Sequence, residues 1–258
     1  MMKRILLLGC IATMIACTPT KQSTIDTTLQ TKVDSILQNK MSEIGAISGQ
    51  AIVMEVQTGE IKAMVGNSRS QESGLIRTAS LLAALETGKV KLSDTVDVGE
   101  GVYKVHDREL LDHNWHRGGY GKLTTLQGLM VNSHIANYKN IERAFTEEQA
   151  YFDMLNKMSY GQPENIEGLD SLKPAHFVTP NDSGWSNTSL AWFCIGYNQR
   201  TSPIQTLTFY NAIANNGKMV KPTLYKGKTE IINPQIASKA NIDSLQMALV
   251  KVVTEGLG

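Results

Sequence analysis

Residues 51–65 read AIVMEVQTGEIKAMV, and this stretch predicts a β-hairpin. Its two apolar runs, at 51–56 and 60–65, are separated by a Gln-Thr-Gly turn at 57–59. Apolar runs that flank a short segment with glycine are typical of antiparallel strands joined by a tight connection. Because a two-stranded hairpin is rarely stable alone, this hairpin needs further elements beside it.

Helical patterns lie on both sides of the hairpin. Residues 24–44 place apolar side chains at helical spacing, and TASLLAALE at 78–86 predicts a buried helix that ends at Gly88. Further helices are predicted within the ranges 123–145, 146–158, 202–217 and 241–258. Several helices therefore surround the hairpin in the predicted fold.

Two segments of the chain carry no clear periodic pattern. Residues 89–123 are polar and rich in glycine, which predicts an irregular insertion, and 159–189 predict a long loop. Few strands are therefore expected after residue 66. Either another chain completes the sheet, or the sequence stops before its own fold is finished.

The charge balance of the chain argues against nucleic-acid binding. Its 258 residues include 25 Lys and Arg against 24 Asp and Glu, for a net charge of +1. Basic residues form no cluster of five or more, so the chain lacks the positive patch that nucleic acids require. The length suits one large or two small domains with a real core.

The first 17 residues resemble the leader of a bacterial lipoprotein. Two basic residues precede an apolar run from Ile5 to Ala16, which is too short to span a membrane. A small residue then stands directly before Cys17, which would carry the lipid after cleavage. Cys10 is the weaker candidate, since few apolar residues precede it. The alternative is an ordinary secretory leader that happens to contain cysteines.

These features predict three segments: a signal peptide at 1–16, a tether at 17–23 and a folded domain at 24–258. The lipid on Cys17 would hold the protein at the periplasmic face of a bacterial membrane. Cys194 is then the one cysteine of the folded domain, so no disulfide within the chain is expected.

Five segments, taken in order, resemble the transpeptidase domain of high-molecular-weight penicillin-binding proteins. They are TIDTTLQ (24–30), the hairpin (51–65), ALETGKV (84–90), GYNQRTSPIQ (196–205) and IANNGKMVKP (213–222). The resemblance implies an α/β architecture of the α+β type, the β-lactamase-like fold, with helices around a small antiparallel sheet. It also predicts that the C-terminal strands of that sheet are missing from this sequence.

Members of that family use the motifs S-x-x-K, S-x-N and K-T-G, in which the first serine attacks the substrate carbonyl and the lysine accepts its proton. In the register of this chain, the first serine and lysine positions hold Gly74 and Arg77. Glycine has no nucleophile, and a guanidinium stays protonated in proteins. Ser73 is the nearest hydroxyl, but no lysine stands at helical spacing from it. A turn or N-cap role is favoured for Ser73 over a nucleophilic one.

The second motif is also substituted, and the third is absent from the sequence. Asn132 and His134 occupy the serine and asparagine positions of S-x-N, while a register that begins at Ser133 puts Ile135 where the amide belongs. His134 is a possible base near pH 7, although a hydrogen-bonded structural histidine is the more frequent case. No K-T-G occurs in the 258 residues.

One polar loop contains several groups that can bind metals. They are His106, Asp107, Asp112, His113 and His116. A structural zinc site needs four ligands at defined spacing, and no cysteine is near this loop, so a solvated polar loop is favoured. The sequence predicts neither a metal nor a cofactor.

The interpretation that combines these features is a lipid-anchored, transpeptidase-like domain associated with peptidoglycan synthesis that does not catalyse acyl transfer. Expected partners are peptidoglycan stem peptides or β-lactams, cell-wall synthesis proteins and the membrane that holds the lipid. Two alternatives stay open: an active D,D-transpeptidase acylated at Ser73, and a truncated, non-functional fragment.

Overall fold

The structure, a computed structural model, describes residues 21–67 and 73–257. The predicted signal peptide at 1–16 and the proposed lipidation site Cys17 lie outside these residues. Among the described residues, no helix combines the length and the apolar character needed to cross a bilayer.

The predicted hairpin is confirmed. Strands β1 (Gln50–Met54) and β2 (Ile61–Gly66) pair in antiparallel fashion. Helix α1 (Thr27–Ile44) packs against β2, and its Gln30 side chain continues the hydrogen bonding of the strand. The Gln30 amide donates to the carbonyl of Met64 at 2.7 Å and accepts from the Met64 N–H at 2.8 Å. A side chain thus satisfies backbone groups at the edge of the hairpin.

Helix α2 (Ile76–Glu86) is the centre of the main core. Nine of its eleven residues are buried, as the apolar sequence predicts: Ile76, Thr78, Ala79, Ser80, Leu81, Leu82, Ala83, Ala84 and Leu85. Gly88, at the predicted end, has a φ of 71°, a conformation that glycine adopts without strain. The elements that carry the candidate site pack around this helix.

The prediction of an irregular insertion at 89–123 is wrong. Strand β3 (Thr95–Gly99) pairs with β6 (Gly121–Thr124), and β4 (Val102–Val105) pairs with β5 (Arg108–Leu111). A 3-10 turn follows at Trp115–Arg117. Each strand has only four or five residues, with two buried residues in β3 and one in each of the others, so no long apolar run reveals them. Pairing with a partner strand stabilises what local propensity does not.

The region predicted as helical at 123–145 contains two helices, α3 (Thr125–Met130) and α4 (His134–Ala144). They are separated at Asn132, whose φ of 58° is incompatible with a continuous helix. Helix α5 (Glu148–Lys157) follows, as predicted.

The second half of the chain adds short strands and three helices. Strands β7 (His176–Phe177) and β8 (Gln199–Arg200) pair, as do β9 (Met219–Val220) and β10 (Ile231–Asn233). The helices are α6 (Ser189–Phe193), α7 (Pro203–Ala214) and α8 (Lys239–Thr254). The expectation of few strands after residue 66 is therefore wrong, because β3 to β10 all follow it.

The helices enclose one large core, and a smaller cluster lies beside the hairpin. Ile61 of β2 packs there with Ile166 and Ile204. The start of β2 is tied to the segment after β9, since the Ile61 N–H donates to the Thr223 carbonyl at 2.9 Å. The predicted arrangement of helices around small antiparallel strand pairs is confirmed.

Candidate functional site

The turn before α2 holds Ser73 through its backbone and side chain. Its Oγ accepts a hydrogen bond from the N–H of Leu75 at 3.3 Å, and its carbonyl accepts from the Gln199 side chain at 2.9 Å. Within the described residues, Ser73 Oγ has no hydrogen bond to a histidine, a lysine or a carboxylate. A serine hydroxyl is a weak nucleophile unless a neighbouring base accepts its proton. The described residues supply no such base.

Gly74 and Arg77 are in direct contact one helical turn apart. The guanidinium of Arg77 folds back over Gly74, so that a Cβ at residue 74 would lie 2.8 Å from both of its terminal nitrogens. Real Cβ atoms do not approach other atoms so closely. A serine at position 74 and the observed Arg77 conformation therefore exclude one another.

Arg77 is partly buried and has no acidic partner among the described residues. Its Nη1 donates to the carbonyl of Ile195 at 3.3 Å. No described carboxylate lies within 4 Å of the guanidinium, and burial lowers the pKa of this side chain. The group nevertheless stays protonated at neutral pH, since arginine is not deprotonated in proteins. Residue 77, which the predicted register matches to the family's lysine, thus holds a permanent positive charge.

The residues at the second motif have different roles from one another. Asn132 is exposed in the connection between α3 and α4. Ser133 is buried and caps α4: its Oγ accepts from the Ala136 N–H at 3.0 Å and donates to Asp112 Oδ2 at 2.7 Å. Asp112 Oδ1 accepts from the N–H of Ile135 at 3.1 Å. Ser133 is therefore committed to a helix cap, whichever register the motif takes.

His134 lies near Arg77 and is held neutral. Its Nδ1 is 3.0 Å from the carbonyl of Leu111, which assigns the proton to Nδ1 and leaves Nε2 as an acceptor. Burial and the charge of Arg77 lower the pKa of His134 below its ordinary value. The imidazole is thus uncharged at pH 7.

The four residues that the predicted register assigns to the first two motifs line one cavity of about 560 Å³. Gly74, Arg77, Asn132 and His134 all line it. Ser73 instead lines an adjacent cavity of about 520 Å³ beside α7. The structure thus brings the substituted positions together and places the alternative nucleophile outside their cavity.

The residues considered for metal binding lie in the turn between β4 and β5 and in the segment after β5. Asp112 is fully buried as part of the α4 cap, and His113 Nε2 is 2.9 Å from the hydroxyl of Tyr120. The described part of the chain contains no group of three or more His, Cys, Asp or Glu side chains placed to hold a metal. Sequence reasoning grouped Asp112 with metal ligands and missed its structural role, because its partner Ser133 is 21 residues away.

Comparison with known proteins gives one family match and several relatives. The profile of the family described as "Penicillin binding protein transpeptidase domain" matches residues 49–258. The probable peptidoglycan D,D-transpeptidase PbpC of Pseudomonas aeruginosa is 23% identical over 242 residues, covering 83% of this chain and 41% of that protein. PbpB of Mycobacterium tuberculosis is 26% identical, covering 79% and 32%, and FtsI of Escherichia coli K12 is 23% identical, covering 75% and 35%. The chain spans less than half the length of these relatives.

Solved structures resemble the fold over nearly the whole chain. A peptidoglycan glycosyltransferase from Burkholderia ambifaria superimposes with a TM-score of 0.80 at 22% identity, covering 91% of this chain and 75% of that one. The TP domain of penicillin-binding protein 3 from Burkholderia pseudomallei also gives 0.80 at 22% identity, covering 91% and 71%. At this identity the likeness establishes the fold alone, and it confirms the expected fold class.

Proposed function

The chain belongs to the family of penicillin-binding protein transpeptidase domains, and we propose that it takes part in peptidoglycan synthesis by binding stem peptides without forming an acyl-enzyme. The observation that carries this proposal is the contact between Gly74 and Arg77. Gly74 lacks the attacking oxygen, and in its observed conformation Arg77 lies in the space that a serine side chain at residue 74 would need. Glycine at residue 74 leaves room for the guanidinium of Arg77, so the two residues are compatible with each other. Both support a site that does not catalyse acyl transfer.

The environment of Ser73 supports the same conclusion. An acyl-transfer serine needs a base within hydrogen-bond reach, and the side chain one turn along the helix is the guanidinium of Arg77, which cannot accept a proton. Ser73 Oγ is instead bonded to the Leu75 N–H. Ser73 therefore fits a turn residue better than a nucleophile.

The cavity over Gly74 is suited to part of a peptide ligand. Its volume of about 560 Å³ lies within the range of small-ligand pockets, roughly 300–1,000 Å³. Apolar side chains contribute most of its surface, and Arg77 and His134 are among the polar residues that line it. A cavity with this composition orients a ligand without needing a reactive group.

The proposed location is the periplasmic face of a bacterial membrane, with the chain held through a lipid on Cys17. The Ala16-Cys17 pair at the end of an apolar leader supports this assignment. In a bacterial host, we expect the mature chain to begin at a lipid-modified Cys17 and the C17S variant to stay unprocessed. Mass spectrometry of the N-terminal peptide measures both. A mature chain that begins elsewhere without lipid contradicts the anchor.

A fluorescent penicillin tests whether the chain is acylated. The purified full-length chain and its S73A variant are incubated with the probe, with an acylatable penicillin-binding protein as positive control. We expect no covalent label on a protein that melts cooperatively. A label that maps to Ser73 and disappears in S73A would establish the active alternative, whereas a chain without a cooperative melt would favour the truncated fragment.

Calorimetric titration with purified muropeptides tests the binding half of the proposal. We expect saturable binding to the full-length chain that is also seen in S73A, since Ser73 lies outside the cavity. A flat response over the whole concentration range contradicts a stem-peptide site. Contacts with cell-wall synthesis proteins would then be the next form of the proposed role to test.

A further inference from the structure

The guanidinium of Arg77 differs from other cationic side chains of the described chain. Arg143 pairs with Asp94, and Lys239 pairs with Asp243 one turn along its helix. Arg77 is more buried than either of these side chains. Among the described residues, its guanidinium donates to one acceptor, the carbonyl of Ile195. The charge at the start of α2 is thus left without a described counter-ion.

Partial burial removes part of the hydration of this charge. A guanidinium has five N–H donors, and burial without partners is unfavourable unless an anion or a hydrogen-bond acceptor compensates it. The N–H groups of the first turn do not compete for an anion, because Leu75, Ile76 and Arg77 donate to Ser73 Oγ, Ser73 O and Gly74 O. The side chain of Arg77 is therefore the group available to an anion.

The walls of the cavity strengthen any interaction with Arg77. Apolar side chains from α3, α8 and the residues after α8 line it: Leu129, Met130, Leu249, Val252 and Leu257. A charge pair is stronger next to apolar walls than in bulk water. Among the described residues, no other Lys or Arg and no Asp or Glu lines this cavity. The single fixed positive charge of Arg77 therefore suits a ligand with one negative charge.

We propose that this cavity binds the carboxylate of a small aliphatic ligand, with the guanidinium of Arg77 as the bidentate donor to its two oxygens. The planar fork of arginine matches the two oxygens of a carboxylate. A single fixed charge favours a monoanion over a phosphate dianion, and the apolar walls accept the aliphatic part. That the natural ligand is a carboxylate of a peptidoglycan stem peptide rests on the proposed function; the anion site itself does not.

Binding of an anion to Arg77 can be detected through the pKa of His134, without an activity assay. The groups that face its ring are Arg77, Asp112, His113 and the carbonyl of Leu111. The charge of Arg77 is one cause of the lowered His134 pKa, so an anion that pairs with Arg77 should raise it. A pH titration of the His134 imidazole resonance by NMR reports this change directly.

The experiment compares N-acetyl-D-alanine with its uncharged amide, added to the full-length chain. We expect the acid to bind saturably and raise the His134 pKa, while the amide does neither. R77Q should weaken binding of the acid by at least about tenfold, because the charge-assisted pair is lost. The affinity of R77K should lie between those of R77Q and the unmodified chain, because lysine keeps the charge but lacks the planar guanidinium. R143Q, which removes an arginine outside the cavity, should bind like the unmodified chain.

Each outcome decides the proposal. Equal binding of acid and amide, or binding unchanged in R77Q, overturns the carboxylate site, and so does the absence of any response to the acid. If R77Q does not melt cooperatively, R77K is compared with the unmodified chain instead. If R77K then binds the acid as tightly as the unmodified chain, the bidentate role of Arg77 is overturned. Acid binding without muropeptide binding supports the anion site and rejects the stem-peptide function. Muropeptide binding that R77Q leaves unchanged supports the function and rejects the site.

Discussion

At the scale of single residues, the guanidinium of Arg77 limits which side chain fits at residue 74. The side chain at 77 reaches back over residue 74, and its guanidinium occupies the space of a Cβ there. A serine at 74 would have to displace this side chain and break its bond to the Ile195 carbonyl. A side chain at residue 74 therefore requires the flexible end of Arg77 to move.

We expect G74S to lower the free energy of unfolding by about 1–2 kcal/mol, through displacement of a partly buried charged side chain and loss of its hydrogen bond. Chemical denaturation measures this value. The matched control is G227S, at a glycine with open space around it, which should change stability by less than about 0.5 kcal/mol.

The same experiment in the R77K background isolates the contact. Lysine lacks the broad guanidinium, so G74S should cost less there, with a coupling energy of about 0.5–2 kcal/mol between the two positions. Strictly additive effects would show that the contact between Gly74 and Arg77 does not limit the residue at 74.

At the scale of elements, a buried cap fixes where α4 begins and so where His134 lies. Ser133 bonds both the first turn of α4 and the buried Asp112 carboxylate, which follows β5. His134 adds a second link through the Leu111 carbonyl. The strand pair β4–β5, which the sequence predicts as irregular, thus orients one wall of the cavity.

S133A is expected to destabilise the protein by about 2–3 kcal/mol, because it removes an N-cap and leaves a buried carboxylate oxygen without its hydroxyl partner. Thermal denaturation of purified variants measures the change. D26A, at the exposed N-cap of α1, is the matched control and should cost about 1 kcal/mol or less. Equal losses for the two variants would contradict the special role of the buried Asp112.

At the scale of the whole molecule, Glu86 joins the central helix to the last one. Its Oε1 accepts from the Ser238 N–H at 3.0 Å, the Ser238 hydroxyl at 2.7 Å and the Asn241 amide at 2.6 Å. Burial alone would raise the pKa of Glu86, but these hydrogen bonds and the charge of Lys157 lower it below its ordinary value. The ionised carboxylate therefore helps to dock α8 on α2.

This shift predicts a pH dependence of stability. Because the pKa is lower in the folded state, the stabilisation is present above the unfolded pKa of about 4.3 and is lost as the pH falls through the folded value. We expect E86Q to melt below the unmodified protein at pH 7, with the difference shrinking under pH 4. Melting curves across this range provide the measurement. A difference that stays constant with pH would show that the charge of Glu86 contributes nothing.

Local sequence determines the hairpin and the buried helix α2. These follow from apolar periodicity and turn residues within short windows, so they were predictable for AIVMEVQTGEIKAMV and TASLLAALE. The strands β3 to β6 were not predictable, since each is stabilised by pairing with a strand elsewhere in the chain.

Only the tertiary structure decided what the substituted site contains. It placed Arg77 beside the Ile195 carbonyl, 118 residues away in the chain, and Asp112 beside Ser133. It also joined Gly74, Arg77 and His134 around one cavity and left Ser73 outside it. The physical reason is that hydrogen bonds, charge burial and steric exclusion depend on distance in space, whereas periodicity and turn signals depend on distance along the chain.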